Sequence, residues 1–202
     1  MSKINKYFKR KDGIIIDAIK LMDEKGLHGL TTREIAFRQG VTEPAIYRQF
    51  KSKNDIINAI LIDFSKYDKA IAATVMENMK DIFEALSYFG KLYSEYYENY
   101  PEIASVMFSI EYLKTDKELF TTFKEILDGR KKTILDILLK LEGESEEFIE
   151  NLAELIMSTL VSQTMFWKME GCTYSLSEKI EKNIKFLLIN HGGKSDEKNT
   201  HS

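Results

Sequence analysis

The chain almost lacks the two residues that interrupt helices. Only 2 of its 202 residues are proline and 10 are glycine, and no glycine lies between Gly40 and Gly90. Proline and glycine destabilise a helix interior more than any other residue, so their scarcity predicts long helices. Hydrophobic residues make up 44% of the chain, which is enough to bury a sizeable core. We therefore predict an all-α fold.

Hydrophobic residues at helical spacing predict about nine helices. The first contains Ile14 and Ala18 and should end near Gly26, a residue suited to a helix C-cap. Two short helices follow, and each begins at a threonine, Thr31 or Thr42, that can act as an N-cap. The other predicted helices run from about 53 into the 70s and over about 81–99, 101–113, 116–140, 146–170 and 176–190.

The composition argues against several classes of protein. A single cysteine, Cys172, cannot form an internal disulfide and suits a reducing cytosol, so we expect a cytoplasmic protein. No apolar run approaches the roughly 18 residues of a membrane span, and the N-terminus is too charged for an export signal. The three histidines are scattered, and the motifs of zinc, phosphate-loop and Ser-His-Asp enzymes are missing. We therefore expect no catalytic residue, no metal site and no cofactor.

Charge is distributed unevenly along the chain. Residues 1–53 contain 12 Lys and Arg against 6 Asp and Glu, a net charge of +6. The whole chain carries −3, so residues 54–202 carry −9. A basic head on an acidic body favours a polyanion as the partner of the head, although most charge runs are solvated faces.

Residues 31–50 carry too many helix-ending signals to form one helix. Thr31 and Glu34 have the spacing of a capping box, Gly40 interrupts the segment, and Thr42 restarts it. A helix of about seven residues is marginal alone, so two of them need support from a neighbour. Braced by the first helix, they form a helix-turn-helix whose second helix can enter a DNA major groove.

The spacing of residues over about 10–62 is specific to one family. It is carried by Ile14, Ala18, Ile19, Gly26, Leu30-Thr31-Thr32, Ile35-Ala36, Gly40-Val41, Ile46-Tyr47, Phe50 and Ser52-Lys53. This run resembles the DNA-binding signature of the TetR family of bacterial-type transcriptional regulators, from which Gln39 departs because the family often has a small residue there. The resemblance implies a helix-turn-helix domain over 1–53 and a ligand-binding and dimerisation domain over 54–191, which share the helix from about 53. We expect 192–202 to be a disordered tail.

The resemblance also implies which residues contact DNA. Phosphate contacts, which position the protein without reading sequence, fall to Thr32, Tyr47 and Lys53. Arginine pairs with guanine, glutamate accepts from cytosine, and apolar groups meet the thymine methyl. Bases should accordingly be read by Arg33, Thr42, Glu43, Pro44, Ala45 and Arg48. Three alternatives stay open: Tyr47 packs in the core, Arg48 contacts a phosphate, or Glu43 only favours the helix dipole.

Aromatic residues are concentrated in the body of the chain. Buried tyrosines need hydroxyl partners, so such a lining suits a small-molecule cavity as well as plain core packing. The candidate ligand-binding residues are Phe89, Tyr93, Tyr96, Tyr97, Met107, Phe108, Tyr112, Phe123, Phe166 and Trp167. In the family the last two long helices pair with their copies, which makes Leu152, Ile156, Leu160, Ile180, Ile184, Leu187 and Leu188 candidates for a dimer interface.

Together these features imply a ligand-responsive regulator of transcription. We expect a homodimer that binds a pseudo-palindromic operator in double-stranded DNA and represses until a small-molecule effector of unknown identity releases it. One alternative is a DNA-binding regulator controlled by a protein partner instead of a small molecule. A helical enzyme is the other alternative, and the sequence gives it little support.

Overall fold

The computed structural model describes the backbone of residues 3–78 and 81–191 and the side chains of residues 11–77 and 81–189. Over these ranges the chain forms ten α-helices and no β-strand, which confirms the all-α prediction. They are α1 (Lys3–Gly29), α2 (Thr32–Arg38), α3 (Glu43–Tyr47), α4 (Lys53–Asn78), α5 (Ile82–Asn99), α6 (Glu102–Met107), α7 (Ile110–Leu113), α8 (Lys117–Leu138), α9 (Glu146–Met169) and α10 (Leu176–His191). The tail predicted at 192–202 lies outside the described residues. No helix in the described part of the chain is both long and apolar enough to cross a membrane.

Two helix ends show how the local sequence sets the backbone. Gly26 has a positive φ of 65° and interrupts α1 at the predicted C-cap. The predicted helix 101–113 is instead two helices, α6 and α7, because Ser109 between them leaves the helical conformation, with ψ at 43°. The Ser109 hydroxyl donates to the Ser105 carbonyl at 2.6 Å. The break at Ser109 adds the tenth helix.

The chain divides into two compact units. The first runs to Tyr67 and includes Tyr100–Leu127, and the second comprises Asp68–Asn99 and continues from Asp128. Both α4 and α8 therefore contribute residues to each unit. The continuous α4 agrees with the glycine-free sequence after Gly40. The functional boundary between residues 53 and 54 stays a prediction.

In the second unit, α5 and α10 approach closely at a glycine. A Cβ added to Gly90 would lie 2.6 Å from Ile184 Cδ1 and 3.0 Å from Ile180 Cγ2. Any side chain larger than hydrogen would require Ile184 or Ile180 to shift within a closely packed interior. Both isoleucines are fully buried as a result.

A buried ion pair joins α4, α8 and α5 within the second unit. Arg130 is 3% exposed and donates to the two carboxylate oxygens of Asp68 at 2.7 and 3.2 Å. Its Nη1 donates to the Tyr97 hydroxyl at 3.5 Å, and its guanidinium carbon lies 4.8 Å from the centre of the Tyr93 ring. A two-bond contact between guanidinium and carboxylate is the geometry of a charged pair.

Burial opposes both charges of this pair. It raises the pKa of the Asp68 carboxyl, while the Arg130 charge and hydrogen bond lower that pKa. Burial also acts against the Arg130 charge, but the oxygens of Tyr97 and Asp68 raise the pKa of the guanidinium above its ordinary value. The arginine therefore stays charged, and it needs its carboxylate partner.

Replacing Arg130 with methionine should lower the free energy of unfolding by about 3–5 kcal/mol, because Asp68 then stays buried without its counter-charge. Lys131→Ala is the matched control: Lys131 pairs with Glu154 at 2.7 Å, and Glu154 is well exposed. An exposed pair contributes about 1 kcal/mol or less. Urea denaturation followed by circular dichroism measures both variants. Equal losses would contradict a dominant role for the buried pair.

Candidate nucleic-acid interface

The start of α2 is fixed by the predicted N-cap and by an ion pair. The Thr31 hydroxyl accepts from the Glu34 backbone N–H at 3.1 Å, as a capping box requires. The Glu34 carboxylate accepts instead from Lys25 Nζ at 2.8 Å. This salt bridge links α2 to α1, and it holds the pKa of the Glu34 carboxyl below its usual value through the hydrogen bond from Lys25.

The turn between α2 and α3 closes on a left-handed glycine. Gly40 has φ 60°. Its N–H donates to the Phe37 carbonyl at 3.1 Å, and the Val41 N–H donates to the Ala36 carbonyl at 3.0 Å. These two bonds are the Schellman motif, which satisfies the last carbonyls of a helix and needs a positive φ. The turn lets a second helix begin almost at once.

A small apolar core supports both short helices. Ile35 of α2 and Ile46 of α3 are fully buried, and Phe50 is 5% exposed. Val41, in the turn between the two helices, is half-buried.

Gln39, which follows α2 and departs from the family pattern, packs against residues of α1. Its side-chain amide donates to Asp17 Oδ2 at 2.5 Å. A Cβ on Gly13 would lie 3.0 Å from the Gln39 Oε1. The absence of a side chain at Gly13 therefore makes room for Gln39, a pairing that spacing along the sequence could not reveal.

Most residues predicted to read bases lie on the surface of the head. Arg33, Thr42, Pro44 and Arg48 are exposed, and Glu43 is half-buried. Ala45 differs, because it is only 8% exposed and faces the core. A base contact by its methyl group therefore has little surface to use.

The residues predicted to contact phosphate form two separate sites. Thr32 is 8% exposed and Tyr47 is 50% exposed, and their hydroxyls lie 3.2 Å apart. The Thr32 hydroxyl also donates to the Glu43 carboxylate at 2.5 Å. Three residues of the predicted DNA surface thus already contact one another.

Lys53 is held inside the first unit. Its ammonium donates to the Leu27 carbonyl at 3.1 Å and lies 4.8 Å from the centre of the Tyr112 ring. Burial lowers the pKa of this ammonium. The geometry makes Lys53 a link between the end of α1 and α7, so a phosphate contact would have to share its donors.

A chain of hydrogen bonds continues from this link. The Tyr112 hydroxyl donates to Asn54 Oδ1 at 2.7 Å, and Asn54 Nδ2 donates to Asp116 Oδ2 at 2.7 Å. Asp116 in turn accepts from the backbone N–H groups of Glu118 and Leu119, which lowers the pKa of its carboxyl. The start of α4 is therefore fastened to the α7–α8 corner.

The ten candidate ligand residues do not fall in one unit. Met107, Phe108, Tyr112 and Phe123 belong to the first, and Phe89, Tyr93, Tyr96, Tyr97, Phe166 and Trp167 belong to the second. In the second unit Trp167 is 2% exposed and donates from its indole to the Tyr174 carbonyl at 2.8 Å. Phe166 is 46% exposed. It lines an open cleft of about 620 Å³ with Gln163, Glu170, Tyr174, Ser175, Glu178, Lys179 and Lys182.

Five of the seven predicted dimer-interface residues are buried within their own chain. Leu152, Ile156, Leu160, Ile180 and Ile184 are each 3% exposed or less within their own chain. They face the core of the second unit, so they have no surface left for a partner. Leu187 and Leu188 are half-buried. The exposed apolar residues of the same two helices are Leu155, Met165, Phe166, Met169, Phe186 and Ile189.

The N-terminal region matches a known family of regulators. Residues 14–60 match the family described as bacterial regulatory proteins, tetR family. Over 51 residues the chain is 39% identical to tetracycline repressor protein class C of Escherichia coli, an alignment that covers 25% of this chain and 23% of that protein. The chain spans no more than about half the length of the curated relatives that it matches.

Solved structures extend the likeness over most of the chain. The transcriptional regulator FadR from Bacillus subtilis, in complex with stearoyl-CoA, matches with a TM-score of 0.74 at 20% identity and covers 87% of this chain and 96% of its own. A regulator from Saccharomonospora viridis in complex with choline matches with a TM-score of 0.76 at 16% identity and covers 90% and 96%. At such identities the likeness establishes the fold.

Gly40→Ala should destabilise the protein by about 1–2 kcal/mol, because a side chain strains the left-handed turn. Gly129→Ala is the control with the opposite sign. Gly129 lies within α8 with nothing within 4 Å of an added Cβ, so alanine there should stabilise by about 0.5–1 kcal/mol. Urea denaturation measures both changes. A Gly40 variant as stable as the parent would show that the turn tolerates a side chain.

Proposed function

We propose that this chain, whose residues 14–60 match the tetR family of bacterial regulatory proteins, is a DNA-binding transcriptional regulator. The observation that carries the proposal is the α2–α3 geometry. A glycine turn and a small core support a short helix from one side and leave its other side exposed. An exposed short helix on a basic head is the arrangement that enters a major groove.

DNA contacts are divided between positioning and reading. Arg33 and Arg48 are exposed and can form two-bond contacts with guanine. Thr42 and Pro44 lie at the start of α3, where base edges would be met first. Tyr47, half exposed at the end of α3, offers its hydroxyl to a phosphate.

We expect selection from a random DNA pool to recover a two-fold symmetric site. Tyr47→Phe should weaken binding to that site by about 100-fold, since one hydrogen bond to a charged group is lost in each subunit. Tyr100→Phe is the matched control, because Tyr100 is 56% exposed but lies outside the head. Fluorescence anisotropy with labelled duplexes measures each affinity.

Arg48→Ala separates two roles in the same assay. Relaxed preference at one base position would make Arg48 a base reader. Uniformly weaker binding to all sequences would make it a phosphate contact. A wild-type protein that binds no DNA at low salt would overturn the proposed function.

We propose that a small-molecule effector controls this binding and that the regulator is a repressor. Support comes from α4, which runs from the DNA-binding head into the second unit, and from its hydrogen-bonded start at Asn54. A ligand changes DNA affinity only as far as it prefers one state of the protein. The two neighbours above are bound to chemically different molecules, stearoyl-CoA and choline. The effector should therefore bind free protein more tightly than operator-bound protein.

The alternative is control by a protein partner. An open cleft lined by Tyr174, Glu178 and Lys182 offers aromatic and charged groups to such a partner. To distinguish the two alternatives, cell extract is separated by ultrafiltration, and each fraction is tested for its ability to release the protein from operator DNA. Activity in a low-molecular-weight filtrate supports a small molecule, and activity only in the retained fraction supports a protein. We propose a cytoplasmic, non-enzymatic role in either case.

We propose a homodimer whose interface uses the exposed face of α9 and α10. Leu155, Phe166 and Met169 lie on one helical stripe of α9 and are 47%, 46% and 73% exposed. On α10, Phe186 and Ile189 are 66% and 61% exposed. So many large apolar side chains on two packed helices are unusual for a monomer. Two copies related by a two-fold axis would present two α3 helices to a pseudo-palindrome, one or more DNA turns apart.

Phe166→Glu should convert the dimer to a monomer, because a carboxylate would be buried without a partner at the interface. Binding to the selected site should fall at least about tenfold with it. Leu139→Glu is the control, since Leu139 is 63% exposed and follows α8 rather than lying on α9 or α10. Analytical ultracentrifugation measures the mass. If the Phe166→Glu variant is still a dimer, the interface lies elsewhere. If the parent protein is a monomer, the proposed homodimer is wrong.

A further inference from the structure

Three polar side chains, one at the start of α2 and one at each end of α3, contact one another in the head. Thr32 is the first residue of α2, and Glu43 and Tyr47 are the first and last residues of α3. The Thr32 hydroxyl donates to Glu43 Oε1 at 2.5 Å and lies 3.2 Å from the Tyr47 hydroxyl. Thr32 is 8% exposed and Tyr47 is 50% exposed, so the cluster lies at the edge of the surface.

The chemistry of this cluster is that of an occupied anion site. A threonine hydroxyl has one proton to donate, and here the proton is directed to a carboxylate. An ionised carboxylate and a phosphate diester are both negatively charged and accept hydrogen bonds only. Glu43 and a DNA phosphate therefore cannot accept the same Thr32 proton at once. Their like charges would also repel at this distance.

We propose that Glu43 is an intramolecular stand-in for a DNA phosphate, and that its displacement makes the head selective among DNA sequences. The proposal rests on the DNA-binding function above. In the unbound protein Glu43 holds Thr32, and a phosphate that takes Thr32 and Tyr47 must expel the carboxylate. DNA that offers the carboxylate no donor binds weakly. A site that offers one, such as the amino group of cytosine N4, compensates for the lost Thr32 bond.

Glu43 is then a specificity-determining residue that acts mainly against the wrong DNA. Discrimination between two ligands is a difference of affinities, and a penalty on the competitor serves as well as a contact with the target. This distinguishes the proposal from two simpler roles. A plain base reader would strengthen operator binding and leave random DNA unaffected. A residue that only favours the helix dipole would change stability and leave discrimination unchanged.

The test is Glu43→Gln, which keeps the shape of the side chain and removes its charge. The affinity of the full-length protein for random-sequence duplex should rise by about 3- to 30-fold, because a close like charge no longer opposes the phosphate. Affinity for the selected operator should rise less or fall, so the ratio of the two affinities narrows. Fluorescence anisotropy at one fixed salt concentration measures both, since these affinities depend strongly on salt.

Two further variants separate the effect of Glu43 on Thr32 from an effect of net charge. Glu34→Gln makes the same charge change in the same short helix as Thr32, but its carboxylate pairs with Lys25, so it controls for net charge. Thr32→Val removes the hydroxyl at nearly constant shape. If Glu43 acts by occupying that hydroxyl, Glu43→Gln should have a clearly smaller effect on random DNA in the Thr32→Val protein.

Three outcomes would overturn the proposal. Unchanged or weaker binding of Glu43→Gln to random DNA, with an intact fold by circular dichroism, would exclude the stand-in role. If Glu34→Gln raised the affinity for random DNA as much as Glu43→Gln does, the effect would be due to net charge alone. If Glu43→Gln had the same effect in the Thr32→Val protein, the Thr32 hydroxyl would play no part in it. Failure of the wild-type protein to bind any DNA would instead overturn the proposed function, which the same titration shows separately.

Discussion

The basic head of this protein depends on the support of a helix that is too short to be stable alone. The five residues of α3 cannot offset the cost of helix nucleation in water. The helix forms because Ile46 packs in a small core with Ile35, and because the Gly40 turn fixes where α3 begins. A helix supported from one side leaves the other side uncovered. The packing that makes α3 possible therefore also creates the surface that the proposed function uses.

Polar groups near that surface are already engaged within the protein. Thr32 donates to Glu43, and Lys53 donates to the Leu27 carbonyl beside the Tyr112 ring. The proposed contact with DNA would therefore exchange one set of hydrogen-bond partners for another, and its free energy would be the difference between the new and the old hydrogen bonds. Such exchanges affect which DNA is bound as much as how tightly it is bound.

The helical pattern of the sequence located the helices, but it did not show which apolar side chains are buried within the chain and which are exposed. An apolar stripe was visible on the last two long helices, but Leu160 on it is fully buried in its own chain while Phe166 on the same helix is 46% exposed. Spacing of three and four residues marks an apolar face, and it does not say whether that face meets the chain's own core or a partner. Ser109 shows the other limit, because its non-helical backbone divides one predicted helix into two.

The sequence by itself determined the all-α fold and the helix-turn-helix, because their signals are local. The cap at Thr31 and the positive φ at Gly40 involve residues within a few positions of each other. Only the tertiary structure decided that Thr32 meets Glu43, and that Asp68 neutralises Arg130 at 62 residues' distance along the chain. Such pairs form because packing brings particular helix faces together, and the energy of each contact depends on burial that no local pattern encodes.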